Sequence, residues 1–294
     1  FLTIMAQAYD TLGVRSVRAP DPAKTVLAKT PRSQPVLEKP AEANASAKLA
    51  TERGASMPAP NPRSKVALSE SLPKPPPALA PTRAAALSAG AAIRAAAAVC
   101  ADLTALRSAV AACTACGLCS TRTQTVFADG TGRIRVMFIG EAPGETEDLQ
   151  GVPFVGKAGV LLTDIITKGM GLSRSEVYIA NVLKCRPPGN RDPSELEKQT
   201  CTPLLDRQIE LLDPLVLVPL GRHASNHVLG LEGPAALSMG ALRGRVHVRN
   251  GRQIVPTFHP AYLLRSPGEK KECWKDIQLA MAILGLKPSA RAET

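Results

Sequence analysis

Short apolar runs alternate with amphipathic segments four times between residue 113 and the C-terminal end of the chain. This alternation is typical of a mostly parallel β-sheet whose strands are joined by crossover helices. The predicted strands are 135–140, 177–183, 215–221 and 252–259. The predicted helices are 157–169, 193–212, 222–229 and 269–284, with Pro193 in the first turn of its helix after Asp192 as N-cap. The pattern therefore indicates an α/β fold.

Each predicted strand runs into a polar or glycine-containing loop. In an open parallel sheet, ligands bind beyond the carboxyl ends of the strands. Residues 140–144, the loop at Cys185, residues 221–223 and residues 259–265 are therefore expected along one edge of the sheet. A functional site is predicted at that edge.

The first 99 residues have a different composition. They contain 13 of the 26 prolines and only two of the nine aromatic residues. Such a segment can bury too little apolar surface to offset the entropy of ordering. We therefore predict a disordered arm over 1–81, an Ala-rich helical lead-in over 82–112, a folded domain over 113–286 and a tail over 287–294.

Charge is also unevenly distributed. Residues 1–99 hold 13 Lys and Arg against 6 Asp and Glu, a formal charge of +7, whereas the rest of the chain carries +4. A basic chain invites a nucleic-acid partner. Here a solvated basic arm accounts for much of the excess, so charge alone supports that partner only weakly.

No apolar run approaches the roughly 18–20 residues that a membrane span needs, so no membrane association is expected. The first residues lack the basic region of a secretory signal, and the chain opens on Phe1. A cytoplasmic, nucleoid-associated location is therefore expected. In a reducing compartment, seven cysteines indicate free thiols or metal ligands rather than disulfides.

Two glycine-rich loops follow the first strand, with the sequences GEAPGETED (140–148) and GVPFVGKAG (151–159). A glycine-rich turn between strand and helix often cradles phosphate. These loops match neither G-x-G-x-x-G nor a Lys-bearing P-loop, and the first one carries four carboxylates. An acidic surface loop is the alternative interpretation.

The last predicted strand runs into HPAYLLRSP (259–267). A histidine at the end of a strand can donate a hydrogen bond or act as an acid or base, although a satisfied histidine in a turn is the commoner case. Tyr262, Leu263 and Leu264 are either core residues or a wedge beside Arg265, which would then contact phosphate.

The cysteine spacing limits the kinds of metal site. A zinc ribbon needs a second, separate C-x-x-C, and none exists downstream of residues 113–119. Thiolates from separated loops suit an iron–sulfur cluster, while unrelated buried thiols remain possible for Cys100 and Cys273. The candidate ligands are Cys113 and Cys116 in C-x-x-C, Cys119 three residues on, and Cys185 and Cys201 downstream.

Together these motifs resemble those of the family-4 uracil-DNA glycosylases, bacterial and archaeal enzymes with a [4Fe–4S] cluster. The resemblance covers 113–284. GEAPGETED and GVPFVGKAG resemble the family's first motif, NVLKCRPPGNRDP (181–193) its middle motif and HPAYLLRSP its last, while LRG (242–244) and Trp274 lie where the family pattern expects them. The resemblance implies a three-layer α/β/α sandwich with a four-stranded parallel central sheet.

The resemblance also implies roles for individual residues. Phe154 would stack on a flipped uracil, Asn181 would bind its Watson–Crick edge and His259 would contact its O2 atom. Glu141 is the carboxylate near the sugar, and Glu147 closes the pocket against a C5 methyl group. Ala142 would lie beside the substrate, where family-1 enzymes carry a water-activating aspartate, so the general base is left open. The remaining implied residues are Leu263, Leu264, Arg265 and Ser266 for DNA and Cys113, Cys116, Cys185 and Cys201 for the cluster.

The expected function is therefore excision of uracil from single- or double-stranded DNA by a monomeric enzyme, leaving an abasic site for base excision repair. A uracil-DNA binding or trapping protein on the same scaffold is the main alternative. An iron–sulfur scaffold that binds nucleic acid without catalysis is a third. The sequence identifies no partner for the arm.

Overall fold

A computed structural model of the chain describes residues 15–17, 83–231 and 233–287, with side chains from residue 88 onward. Apart from residues 15–17, the predicted arm over 1–81 lies outside the described residues, as does the predicted tail beyond residue 287. None of the helices in the described part of the chain has the length and apolar character that a membrane span requires.

Six strands are described: β1 (Arg15–Val17), β2 (Val136–Gly140), β3 (Tyr178–Asn181), β4 (Val216–Pro219), β5 (Val246–Arg249) and β6 (Arg252–Ile254). They form one sheet in the order β1-β5-β6-β4-β2-β3. The four adjacent strands from β6 to the β3 edge are parallel, which confirms the four-stranded parallel sheet. The last three predicted strands end earlier than expected, so their final residues belong to the loops of the edge.

Two antiparallel strands extend the sheet beyond the prediction. β5 pairs with β6 as a hairpin, and β1 pairs with β5, so the prediction of a disordered arm does not hold for residues 15–17. The hairpin turn is Asn250–Gly251, and both residues have positive φ, at 51° and 74°. An Asn-Gly pair between short runs is a strong hairpin signal. The flanking segments are polar, so the hydrophobic pattern does not mark them as a pair of strands.

Nine α-helices are described. They are α1 (Arg83–Ala98), α2 (Leu103–Ala111), α3 (Glu145–Gln150), α4 (Lys157–Asp164), α5 (Glu195–Leu212), α6 (Arg222–Leu229), α7 (Met239–Leu242), α8 (Pro260–Arg265) and α9 (Lys270–Ile283). Helix α4 continues as a π-helical turn, Ile165–Gly169, so the predicted helix over 157–169 is confirmed. Helix α5 starts two residues later than predicted. Its N-cap is Ser194, in a capping box with Glu197, and not Asp192.

Helices cover both faces of the sheet. Along β2, Val136 and Phe138 belong to one apolar cluster, while Met137 and Ile139 belong to the other. The first cluster packs against α4, α8 and α9, and the second against α1, α2, α5 and α6. This arrangement confirms the three-layer sandwich.

The helical lead-in is part of the folded domain. Leu106 and Val110 of α2 are fully buried in the core, and Ala97 at the end of α1 is also buried. Helix α1 packs closely on α5, since a Cβ at Gly90 would lie 3.0 Å from the carbonyl oxygen of Gln199. The lead-in therefore contributes to the stability of the domain.

Candidate active site and four-cysteine site

A cleft of about 500 Å³ lies at the carboxyl ends of the parallel strands. Its walls come from the loops after β2 and β3 and from α8. The sequence-predicted residues that line it are Glu141, Ala142, Glu147, Phe154, Asn181, His259 and Arg265. The structure therefore brings these residues together in one cleft at the predicted edge of the sheet, and their functional roles stay predictions.

Asn181 and Gly140 face each other at the ends of β3 and β2. The Oδ1 atom of Asn181 is buried and has no hydrogen-bond partner within the protein. A Cβ at Gly140 would lie 2.3 Å from this atom and 2.5 Å from Cζ of Phe154, so only glycine allows the approach. Because an unpaired buried acceptor is costly, this amide is suited to an N–H group supplied by a ligand.

Phe154 is buried and has a φ of 53°, a strained value for a bulky residue. Its loop is held by Glu147, whose Oε1 accepts hydrogen bonds from the backbone N–H groups of Val155 (3.0 Å) and Gly156 (2.8 Å). The Phe154 ring lies 5.6 Å from that of His259, centroid to centroid. Glu147 thus anchors the loop that presents Phe154, a contact that the sequence does not reveal.

His259 is the N-cap of α8. Its Nδ1 atom accepts a hydrogen bond from the N–H of Ala261 at 3.1 Å, so a neutral ring carries its proton on Nε2. Burial, assisted by the positive charge of Arg265, lowers the pKa of His259 to about 4, while Glu147 acts in the opposite direction. At neutral pH this histidine is therefore an uncharged hydrogen-bond donor.

The predicted wedge needs a correction. Leu263 is only 1% exposed and packs in the core, whereas Leu264 is 44% and Tyr262 36% exposed. The reason is that 260–265 is a helix, which turns neighbouring side chains to different sides. Arg265 is exposed and lines the cleft, and the N–H of Ser266 donates to the carbonyl oxygen of Tyr262 at the end of the helix.

Glu141 follows β2 directly and is half-buried. Burial, and then the nearby Asp192 carboxylate, raise its pKa to about 7, against the opposing charges of Lys198 and Arg222. Donor atoms of Glu141, Asp192 and His223 all lie within 4.8 Å of one another. The sequence pattern does not mark Asp192 or His223 as site residues, although both fall in segments predicted at this edge.

A second site is built from cysteines. Cys113 follows α2, Cys116 precedes a short 3-10 turn, Cys185 follows β3 and Cys201 lies within α5. All four line one small cavity of about 10 Å³, together with Cys119. Cys100 and Cys273 do not line it and are buried in the core.

The spacing of these sulfur atoms is too wide for a single zinc ion. Among the described residues, the only three potential ligands with donor atoms all within 4.8 Å are those around Glu141. Tetrahedral zinc would bring sulfur atoms to about 3.8 Å, given Zn–S bonds of about 2.3 Å. Burial raises the pKa of Cys116 to about 11 and that of Cys201 to about 12. Thiolates there need a strongly cationic group.

Two hydrogen-bond donors point at the sulfur atoms. Nη1 of Arg122 lies 3.1 Å from Sγ of Cys185, and the backbone N–H of Lys184 lies 3.3 Å from Sγ of Cys201. Such donors stabilise thiolate ligands and are typical around iron–sulfur clusters. The residues present therefore fit a multinuclear iron–sulfur group.

The fold agrees with the comparisons. A family model described as the uracil DNA glycosylase superfamily matches residues 127–278. The type-4 uracil-DNA glycosylase of Sulfurisphaera tokodaii is 43% identical over 173 residues, which cover 58% of this chain and 79% of that protein. The type-4 enzyme of Thermotoga maritima is 44% identical over 155 residues, 52% of this chain and 79% of its own.

Type-5 uracil-DNA glycosylases are less similar to this chain than type-4 enzymes are. The type-5 uracil-DNA glycosylase of Pyrobaculum aerophilum is 30% identical over 143 residues, covering 44% of this chain and 62% of that protein. The type-4 enzyme of the same organism is 38% identical over 184 residues, 60% of this chain and 92% of its own. The chain belongs to the type-4 uracil-DNA glycosylases, as the motif resemblance predicts.

Proposed function

We propose that this protein flips uracil out of DNA and hydrolyses its N-glycosidic bond, leaving an abasic site for base excision repair. The observation that carries the proposal is the unpaired, buried Oδ1 atom of Asn181, which faces a cleft also lined by Phe154 and His259. A flipped base supplies an aromatic face and polar edges to this set of groups.

Uracil is the base that the Asn181 amide can pair with. Oδ1 accepts the N3–H of uracil, and the amide N–H₂ donates to O4. Cytosine presents an acceptor at N3 and a donor at its exocyclic amine, so the same amide is left mispaired. Phe154 provides the stacking surface, and its strained backbone is held by the contacts of Glu147.

The N-glycosidic bond breaks with its electron pair on uracil and leaves positive charge on the sugar. The oxygen of a water molecule then bonds to the anomeric carbon, and the proton that this water loses ends on the uracil anion. The neutral His259 ring donates from Nε2 to uracil O2 as negative charge develops there. Glu141 in its carboxylate form stabilises the sugar cation, and Ala142 supplies no carboxylate. Glu147, within electrostatic reach of His259, closes the pocket against a C5 methyl group while anchoring its loop.

Cys113, Cys116, Cys185 and Cys201 are the ligands of a [4Fe–4S] cluster, and Cys119 is the alternative ligand. When bound, the cluster cross-links the segment after α2, the loop after β3 and helix α5. The exposed residues of α8 meet the DNA. Leu264 fills the gap left by the flipped base and Arg265 contacts phosphate, with Ser266 at the end of this contact surface.

The deciding experiment measures free uracil released from single- and double-stranded oligonucleotides that carry one uracil. A matched oligonucleotide with thymine at the same position is the substrate control, and the Asn181→Ala protein is the enzyme control. We expect no release from the thymine substrate, release from the uracil substrate by the unmodified protein, and release that is far slower but still measurable under single-turnover conditions by Asn181→Ala. A stable complex with uracil DNA and no free uracil would instead support the trapping function, and full activity of Asn181→Ala would contradict the proposed recognition.

A further inference from the structure

Lys184 lies between the two sites, three residues after Asn181 and next to Cys185. Its side chain is only 1% exposed. Nζ donates to the backbone carbonyl oxygen of Asn181 at 2.6 Å and to Oε1 of Gln208 at 2.5 Å. A buried amine is costly unless its N–H groups are paired. These two contacts therefore fix where the side chain can lie.

Gln208 is itself fixed from two sides. Its Nε2 atom contacts the hydroxyl of Tyr178 at 3.1 Å and a backbone carbonyl at 3.2 Å. Tyr178 begins β3, the strand that ends at Asn181. Gln208 lies on α5, the helix that carries Cys201 two turns earlier. The Lys184 side chain thus ties α5 to the end of the strand that presents Asn181.

The backbone of Lys184 contacts the four-cysteine site directly. Its N–H donates to Sγ of Cys201, and its carbonyl oxygen accepts a hydrogen bond from Val126 at 2.8 Å. The preceding residue, Leu183, donates its N–H to the carbonyl oxygen of Glu141 at 2.9 Å. A single short segment therefore links a cysteine ligand, the loop of Glu141 and the backbone of Asn181.

We propose that Lys184 is a positioning residue that couples the four-cysteine site to base recognition by holding Asn181 in place. The inference rests on the proposed glycosylase function. Lys184 does not line the cleft, so it acts through Asn181 rather than on the substrate. Misplacing a group that must meet two polar atoms of uracil by about 1 Å costs on the order of 100-fold in rate.

The test is a double-mutant cycle with Lys184→Met and Asn181→Ala, read by single-turnover excision of uracil. Methionine keeps the length and removes the donors. We expect Lys184→Met to slow excision about 10- to 100-fold in the unmodified protein. In the Asn181→Ala background we expect a change below about 2-fold, because the side chain that Lys184 positions is gone.

Two further readouts separate positioning from structural support. We expect the iron content of Lys184→Met to equal that of the unmodified protein, because the cysteines and the Lys184 N–H remain. The ratio of uracil to cytosine excision is expected to fall. Lys275→Met is the matched control, since Lys275 is exposed and pairs with Glu272 on the surface. It is expected to excise uracil at the unmodified rate.

If Lys184→Met does not fold, Gln208→Leu replaces it, because that change releases α5 from Lys184 and is expected to show the same loss and the same non-additivity. Equal slowing in both backgrounds, or iron loss parallel to the loss of rate, would overturn the inference. If the unmodified protein releases no uracil, the proposed function fails instead. If the unmodified protein is active and Lys184→Met excises uracil at the same rate, the inference about Lys184 is wrong and the proposed function stands.

Discussion

The four-cysteine site and the cleft lie at the two ends of the segment 181–185, yet they differ in whether the protein supplies hydrogen-bond partners to their polar atoms. At the cysteines, Arg122 and the Lys184 N–H donate to sulfur. In the cleft, Asn181 Oδ1 has no partner, and Glu141 is desolvated beside Asp192. At the cysteines the protein itself supplies donors to sulfur. In the cleft it leaves the Oδ1 atom of Asn181 unsatisfied, which costs stability and is common at functional sites.

The largest effect is expected from a substitution in the four-cysteine site. Cys201→Ala is expected to abolish iron incorporation and to reduce soluble yield, because the ligands join distant chain segments. Iron analysis and visible absorbance measure the outcome. Cys273→Ala, outside the cavity, is the control and is expected to keep its iron. Full iron in Cys201→Ala would contradict the ligand assignment, and iron loss in Cys119→Ala would make Cys119 the ligand.

A change in the cleft is expected to cost rate and not structure. Removing a donor to a developing anion typically costs on the order of 100- to 1000-fold, so His259→Ala is expected to slow single-turnover excision by about that much. DNA binding and iron content are expected to persist. The control His227→Gln, on α6 outside the cleft, is expected to excise at the unmodified rate. A His259→Ala protein with full activity would contradict the role as donor.

Glu141 gives the cleft a pH dependence. Because the raised pKa is about 7, excision by the unmodified protein is expected to rise with pH through that value, as the carboxylate forms. Glu141→Gln is expected to be slower by about 10- to 100-fold above pH 7 and to lose this rise. A solvent deuterium isotope effect near unity is expected if Glu141 acts by charge. A large effect that vanishes in Glu141→Gln would make Glu141 a general base.

The same group links activity to stability. Since the folded-state pKa lies above the usual 4.5, the folded protein binds the proton more tightly than the unfolded chain between those values. Stability therefore falls as pH rises from about 4.5 to 7. Glu141→Gln is expected to have a higher denaturation midpoint than the unmodified protein at pH 8 and a similar one at pH 4. A lower midpoint at pH 8 would show that the carboxylate is stabilising in place.

A smaller effect is expected at Glu147. Glu147→Ala removes the acceptor that holds Val155 and Gly156, so the Phe154 loop loosens and excision of uracil is expected to slow about 10-fold. Glu147→Gln keeps an acceptor and is expected to retain most of the rate. The ratio of thymine to uracil excision tests the closure against a C5 methyl group. A ratio unchanged in Glu147→Ala would leave loop anchoring as its only role.

The smallest effect on chemistry is expected from the arm. A protein without residues 1–81 is expected to excise at the unmodified rate under saturating DNA. It should bind non-specific DNA more weakly and with a shallower salt dependence, because fewer counterions are released. Both truncations delete β1, which pairs with β5, and removing residues 1–98 also deletes α1, which packs on α5, so the longer truncation should lower the denaturation midpoint more. Loss of excision in the shorter truncation would place part of the arm in the active site.

The sequence predicted the parts of the fold and site that depend on order along the chain. The four parallel strands and the gathering of Glu141, Asn181 and His259 at one edge follow from strands that each end in a polar loop. The four cysteines came from motif spacing and resemblance, and the structure brings them to one cavity. Their metal ligation, like the individual catalytic roles, stays a prediction.

What the sequence could not provide depends on contacts between distant segments. The helix at 260–265 turns Leu263 into the core, although the stretch looks like a loop after a proline. Two contacts exist only in the folded chain. One is the pair of hydrogen bonds that Glu147 accepts from two backbone N–H groups, and the other is the approach of His223 to Glu141. The Asn250–Gly251 turn, by contrast, could have been predicted from the sequence, because an Asn-Gly pair is typical of a β-hairpin.

One hydrogen bond joins helix α8 to the imidazole ring of His259. The backbone N–H of Ala261, in the first turn of α8, donates a hydrogen bond to Nδ1 of the N-cap residue His259. In the neutral ring the proton is therefore on Nε2. The exposed side of α8 and the protonated Nε2 atom of His259 are therefore joined through one hydrogen bond. We expect a displacement of the first turn of α8 to move the imidazole with it, so that contact of α8 with DNA would also set the orientation of His259.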